Sequence, residues 1–298
     1  FGRSYTNANG HSKLTNATAM GLNFQEQWEH ALKVDPEFIF ITGWNEWIAG
    51  RHKEWQGLEN AFPDQFSQEY SRDIEPMKGG HGDNYYYQMI ANIRRFKGMP
   101  KETEPIRETN EKIGWKFWKQ CNNCYSTHTG NTFHRDWPGW LGTHQNNTTG
   151  RNDFVEAKVA HDRKNLYFYI ECRNKITSYK GRAWMRLFID TDRTHETGWE
   201  GYDYVINRLS PSSTRSQLEK HCGTNWNWKI EGNVKYEVED NSLFITIPKN
   251  MLGIMNGEPF ELEFKWSDNM QEEGNILDFI TNGDVAPMGR FNYVFRGE

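Results

Sequence analysis

Two hydrophobic rhythms divide the chain. In the first third, "NFQEQWEHALKV" places Phe24, Trp28, Ala31 and Leu32 at helical spacing, with Asn23 available as a cap and Asp35-Pro36 as a stop. The run Phe38 to Thr42 is continuously apolar and β-branched, which predicts a buried strand. "GDNYYYQMIANIRRFKG" predicts a second helix with an apolar face of Tyr86, Met89, Ile90 and Ile93. Asp83 or Asn84 would cap it and Gly98 would end it. Helix, strand, loop, helix is the grammar of an α/β barrel or a doubly wound sheet.

After "MPKETEPIRETNEK", charged and carrying two prolines, the period changes to two. "NLYFYIECRN" puts Leu166, Phe168, Ile170 and Cys172 on one face. "PFELEFKWSDN" does so with Phe260, Leu262, Phe264 and Trp266, and "SLFITIPKN" with Leu243, Ile245 and Ile247. "FVEAKVAHD" and "AWMRLFIDTD" behave similarly. Short alternating strands between Gly, Asn and Asp turns predict an antiparallel β-sandwich. The expected division is therefore 1–105, an α/β unit, and 106–298, an all-β unit.

Candidate chemistry begins directly after the apolar run, in "GWNEW". In α/β barrels, catalytic groups sit beyond the carboxyl ends of strands. Glu46 lies four residues past Thr42. Asn45 could orient its carboxylate or hold a sugar hydroxyl. Trp44 and Trp47 could stack a sugar ring or raise the pKa of Glu46. A structural alternative pairs Glu46 with Arg51 or Lys53.

Composition and charge sharpen this picture. Aromatic residues make up 15%, with 13 Trp, an excess that suits sugar-stacking sites as well as a core. A net charge of −5 does not suggest a nucleic-acid partner. No stretch approaches the ~20 apolar residues of a membrane span, and no signal peptide is evident. The opening Phe1, in polar loop-like sequence, looks like part of something longer. Of four cysteines, Cys121 and Cys124 form a C-x-x-C without a second ligand pair at zinc-finger spacing, and Cys172 falls in a strand pattern as a core residue.

The order "GWNEW", "YSRDIEP", "GDNYYYQMIANIRRFKG" resembles the end of the barrel in glycoside hydrolases of the endo-α-mannosidase type (family ninety-nine), over roughly residues 20 to 98. The resemblance implies that Phe38 to Thr42 is the last barrel strand and that Glu46 is a catalytic carboxylate. The family pattern N-E-W-x-E-G carries a second glutamate where this chain has Ala49. Glycoside hydrolysis normally uses two carboxyl groups about 5 to 10 Å apart. The second would come from Glu54, Asp64, Glu69, Asp73 or Glu75, or from barrel strands that this chain lacks. Those strands, or a second copy of the chain, are then expected partners of the 1–105 unit.

Residues 112 to 298, through "LFIDTD…GWEGYDYVIN", resemble the β-sandwich of family nine carbohydrate-binding modules. That resemblance implies sugar bound between tryptophan faces and structural calcium; no organic cofactor is expected. Asp190, Asp192 and Asp203 are the oxygen donors it points to; the alternative is that they cap turns and pair with Arg193 and Arg208. Of the sugar-stacking candidates Trp137, Trp140, Trp184, Trp199, Trp226 and Trp228, the loop segments "DWPGW" and "GTNWNW" favour Trp137, Trp140, Trp226 and Trp228. Trp184 and Trp266 suit the core. Trp226 and Trp228, two apart, would share a face in an extended segment and make a flat platform. Asp284 and Arg290, in "TNGDVAPMGRFNY", are expected to form an ion pair bracing that loop. Together these expectations describe part of a glycoside hydrolase with a carbohydrate-binding sandwich, secreted, periplasmic or on the cell surface. The alternative is a non-catalytic carbohydrate-binding protein.

Overall fold

A computed structural model describes residues 2–46, 48, 50–63, 66–98, 104–132, 134–138 and 144–298. The chain divides into two compact units, Phe1–Glu102 and Thr103–Glu298. No helix among the described residues is long and apolar enough to cross a membrane.

The first unit has two small hairpins, β1 (Tyr5–Thr6) with β2 (Gly10–His11) and β3 (His52–Trp55) with β4 (Leu58–Ala61), and two helices, α1 (Leu22–Val34) and α2 (Asn84–Lys97). Both helices lie where the periodicity places them. The start of α1 is set by Gly21 in the left-handed region (φ 66°) rather than by Asn23, and Asp35 (φ 51°) ends it before Pro36. Asp83 flanks the start of α2 and Gly98 its end.

The contact between the helices is largely polar, with one aromatic pair, Phe24 and Tyr85, 5.9 Å apart. Gln25 Oε1 accepts from Gln88 Nε2 and Asn92 Nδ2, both at 3.0 Å, and Arg95 pairs with Glu29. On α2 the fully buried residues are Tyr85 and Asn92, whereas the apolar row Tyr86, Met89, Ile90 and Ile93 is only half-buried.

Phe38 to Thr42 forms no strand. Phe38 and Phe40 are 72% and 76% exposed and stack on each other with ring centroids 6.4 Å apart. An apolar run specifies burial, but a strand needs a neighbour to satisfy its N–H and C=O groups. The described residues of this unit supply none at that position.

The second unit is mostly antiparallel sheet. It opens with α3 (Trp115–Gln120), β5 (Cys124–Ser126), β6 (Arg135–Pro138), β7 (His144–Asn147), β8 (Phe154–His161), β9 (Asn165–Cys172), β10 (Arg186–Asp190), β11 (Tyr204–Ile206) and β12 (Arg215–His221). It continues with β13 (Trp228–Glu239), β14 (Ser242–Pro248), β15 (Phe260–Asp268), α4 (Asp278–Thr281), β16 (Asp284–Ala286) and β17 (Tyr293–Gly297). Eleven strands form one sheet in the order β16-β15-β10-β11-β12-β13-β14-β9-β8-β5, with β17 also on β15. The sheet curls until its ends nearly meet, giving a barrel-like sandwich. Across the seam Phe154 N–H donates to Asp284 Oδ2 (2.7 Å), and the Tyr125 hydroxyl donates to the Val294 carbonyl (2.9 Å).

Alternation explains the inside. Leu166, Phe168 and Ile170 of β9, Leu187 and Ile189 of β10, Leu243 and Ile245 of β14 and Phe264 and Trp266 of β15 fill one core. The opposite face is covered in places. Trp118 of α3 stacks on Tyr169 (5.1 Å), and Trp199, Tyr202 and Phe279 pack on Phe188. Sites with both faces covered read as continuous apolar runs, as "RLFID" does.

Candidate functional site

In the first unit, segment 39–43 lines a cavity of about 430 Å³ together with Phe24 and Trp28 of α1, Arg3, Glu46, Asp73 and Tyr85. Two backbone hydrogen bonds bring its far side close: Ile74 N–H to the Gly43 carbonyl and Glu75 N–H to the Trp44 carbonyl, both 3.0 Å. They fix the chain around Asp73 against the start of the "GWNEW" segment. Glu46 and Asp73 therefore serve one cavity, although 27 residues separate them. Glu46 and Asn45 are exposed and Asp73 is buried.

The other carboxylates weighed as partners of Glu46 are placed differently. Glu69 is a brace, accepting from Ser4 N–H (3.1 Å), Ser4 Oγ (2.8 Å) and His11 Nδ1 (3.0 Å). Glu54 is exposed on the β3–β4 hairpin, opposite Glu59. Asp64 and Trp47 lie outside the described residues. Trp44 turns its ring edge-on to Tyr86 at 6.1 Å. Arg51, a suggested partner of Glu46, donates instead to Asn60 Oδ1 at 2.8 Å.

Arg3 carried no signal in the sequence beyond its place in a polar loop. It is 3% exposed, its Nη2 donates to the Asp73 carbonyl and, at 3.4 Å, to Ser71 Oγ, and its guanidinium lies 4.6 Å from the Tyr85 ring centroid. Nearby His81 is pushed down to about 4, first by burial and then by the Arg3 charge.

In the second unit, three carboxylates converge at the end of the β10–β11 pair. Ile189 faces Tyr204 in register, and Asp203 N–H donates to the Ile189 carbonyl at 2.9 Å. Asp190 and Asp203 thus emerge side by side, and Asp192 follows in the turn. One oxygen from each lies within 4.8 Å of the others, the one such metal-compatible group among the described residues. Cys121 and Cys124 do not join one.

Asp190 is fully buried. Its Oδ1 accepts from the Asp192 and Arg193 N–H groups, while Oδ2 is buried with no hydrogen-bond partner. Burial, with the charges of Asp203 and Glu263 adding to it, raises its carboxyl to about 6. Gly201 (φ 97°) lets His195 close over this end: a Cβ there would meet His195 Nδ1 at 2.9 Å and lie 3.7 Å from Asp190 Oδ2. Arg193 pairs with Glu261 and Glu263, and Arg208 with Glu219. Those pairings overturn the arginine half of the alternative; its turn-capping half is present, with Asp192 Oδ1 accepting from Thr194 N–H (2.8 Å) and Asp203 Oδ2 from Thr191 N–H (2.9 Å). The donor set fits a hard, oxygen-seeking cation such as calcium.

The aromatic platform is overturned in geometry. Trp226 and Trp228 meet edge to face, their planes 82° apart and centroids 5.3 Å apart. Trp226 sits in a bend after Asn225 (φ 58°), outside β13, so the rule that residues two apart share a strand face does not reach it. Both rings are half-buried against the cluster of Phe188, Trp199, Tyr202 and Phe279. Trp184 and Trp266 are core residues, and Trp199 is also buried. Trp137, on the β6–β7 hairpin, is 40% exposed; Trp140 lies outside the described residues.

The expected loop brace also changes. Asp284 is buried and accepts from Phe154 and Val285 N–H groups, and burial raises it to about 7; Arg290 pairs with Glu200 at 3.5 Å.

No family model, curated protein or solved structure matches this chain. The geometry alone therefore carries the functional reading.

Proposed function

We propose that this chain is part of a glycoside hydrolase acting on a poly- or oligosaccharide. Its first unit is the end of a (β/α) barrel, and its second is an accessory carbohydrate-binding sandwich stiffened by calcium. One observation carries the reading: Glu46 and Asp73 line the same cavity, which is walled by Phe24, Trp28 and Tyr85. Paired carboxylates beside aromatic faces are what glycosidic cleavage needs, one to protonate the leaving oxygen and one to act as nucleophile or to activate water. Glu46 is the exposed one of the two. Buried Asp73 would be the second carboxyl of the pair. The exposed Phe38 and Phe40 fit a surface that further barrel residues or a second copy would cover.

In the sandwich, Asp190, Asp192 and Asp203 would hold the calcium, which would supply charge to the orphaned Asp190 Oδ2 and lock the β10–β11 end. Trp137 is the exposed ring best placed for stacking on sugar.

The test is hydrolysis and binding of an oligosaccharide panel by the 298-residue protein, by reducing-end release and calorimetry. Glu46→Gln and Asp73→Asn should each lower turnover by at least ~100-fold. Where binding alone is detected, the two variants should still shift the affinity of the cavity ligand. Variants that keep rate and affinity while remaining folded would remove these carboxylates from the site. Binding lost only with Trp137→Ala would favour the non-catalytic alternative, a carbohydrate-binding protein.

A further inference from the structure

The cavity holds a buried cation that the paired-carboxylate chemistry does not use. Arg3 is 3% exposed and lines the cavity. Its Nη2 is occupied by the Asp73 carbonyl and Ser71 Oγ. Its Nε and Nη1 are buried without a hydrogen-bond partner. Those two nitrogens carry three of the five N–H bonds of a guanidinium.

The environment satisfies Arg3 only in part. Its hydrogen-bond partners, a backbone carbonyl and a hydroxyl, are neutral, as is the face of Tyr85, and none of these cancels a full charge. Buried charges are normally paired, and an unpaired donor in a cavity costs what a ligand can restore. Tyr85 also holds the guanidinium in place, its own hydroxyl donating to the Thr18 carbonyl at 2.8 Å. The cation is thus fixed before any ligand arrives, which limits the ordering cost of binding.

We propose that Arg3 is the anchor for an anionic substituent, a carboxylate or a sulfate ester, on the glycan that enters this cavity. The inference rests on the reading of the cavity as a glycan site. A carboxylate or sulfate oxygen pair accepts several N–H bonds at once and compensates the charge, which a sugar hydroxyl cannot do. The sugar carrying that group would lie between the Arg3 side and Glu46 at the exposed rim. Arg3 then acts as a specificity-determining residue, selecting acidic sugars such as uronic acids or sulfated residues over neutral ones.

The experiment compares acidic fragments with neutral counterparts differing only in charge. Oligogalacturonate is set beside its methyl ester, and chondroitin sulfate fragments beside their desulfated, methyl-esterified form. Calorimetry on the whole protein should show at least one acidic fragment binding at least tenfold more tightly than its neutral partner. Arg3→Gln should shrink that preference, read as the acidic-to-neutral ratio on the variant itself, below threefold. Arg3→Lys keeps the charge without the planar fork and should retain part of it. Free sulfate should compete with the acidic fragment on the wild-type protein, a readout that stands if either variant fails to fold. Equal binding of acidic and neutral fragments overturns the inference and leaves the glycan reading intact. Acidic preference that survives Arg3→Gln also overturns it. Binding of sulfate, lost in Arg3→Gln, with no fragment bound, supports the anion anchor and overturns the glycan reading. Binding of neither fragments nor sulfate overturns both.

Discussion

The two units use apolar residues in opposite ways. In the second, nearly every alternating apolar position meets a partner: Phe168, Leu187, Ile245, Phe264 and Trp266 are all fully buried between strands that are hydrogen-bonded on both sides. In the first, the most apolar run in the unit, Phe38 to Thr42, has two phenylalanines facing solvent, and the helices meet through Gln25, Gln88 and Asn92. A sheet with its neighbours present turns side-chain pattern into stability. The same kind of pattern without neighbours leaves a surface and a cavity, and those are where binding is to be sought.

The largest expected effect tests the first half of that contrast. Phe264→Ala removes a fully buried ring that touches Tyr125, Phe168 and Tyr293. Loss of such a ring from a packed core costs about 3–5 kcal/mol, the transfer free energy plus an unfilled cavity. Denaturant unfolding followed by hydrogen exchange should show the loss in peptides of β8, β9 and β15, with little change in α1 and α2. An equal loss in both units would mean that they unfold as one, and the comparison would fail.

How much of this was legible follows the same line. The second unit could be read because period-two alternation and sheet burial are the same fact seen twice. α1 and α2 could be read from their spacing and stops. The strand at Phe38 could not, because an apolar run shows the wish to be buried and not the partner that buries it. Glu46 is marked by its unusual place after that run. Asp73 could be named only as one of five carboxylates, since two backbone bonds across 31 residues bring it to the cavity. Arg3 has no local pattern at all. The aspartate trio was legible through "FIDTD" and the following strand, whereas the Trp226–Trp228 platform failed on one left-handed residue, Asn225.

Acid should separate the units by sign. Asp190 is raised to about 6 and Asp284 to about 7, so these two carboxyls bind protons more readily in the folded chain than in the unfolded one. Without metal, that contribution is fully present below the ordinary carboxylate range and is lost as pH rises through about 6 to 7. His81 is lowered to about 4, so the unfolded first unit binds the proton more readily. Its contribution is present above about 6.5 and is lost as pH falls through about 4. Between pH 6.5 and 4.5, exchange protection in metal-free protein should rise around β10, β11 and β16 and fall around the start of α2. Asp190→Asn and His81→Gln should each flatten the slope of their own unit.

Calcium should invert the second unit's trend, because protons then compete with the ion for Asp190. At a hundredfold excess over its dissociation constant it should add about 2.7 kcal/mol, and a chelator should remove it. A melting temperature indifferent to both millimolar calcium and pH would leave the trio as turn caps.

The smallest expected effect tests the other half of the contrast. Phe40 is 76% exposed, stacks on Phe38 and forms part of the cavity wall. Phe40→Ser should therefore change the stability of the dilute protein by no more than about 0.5 kcal/mol, since exposed substitutions away from caps and networks do little. Its consequence should lie in association instead. If a second copy covers this face, sedimentation of the wild-type protein should show concentration-dependent dimers that Phe40→Ser weakens, because each exposed ring removed takes apolar area from the contact. If the face serves barrel neighbours that a second copy cannot imitate, both proteins should sediment as monomers. A loss of several kcal/mol on Phe40→Ser at any dilution would show that the ring is buried in solution. The two units would then differ in architecture but not in how completely they spend their apolar residues.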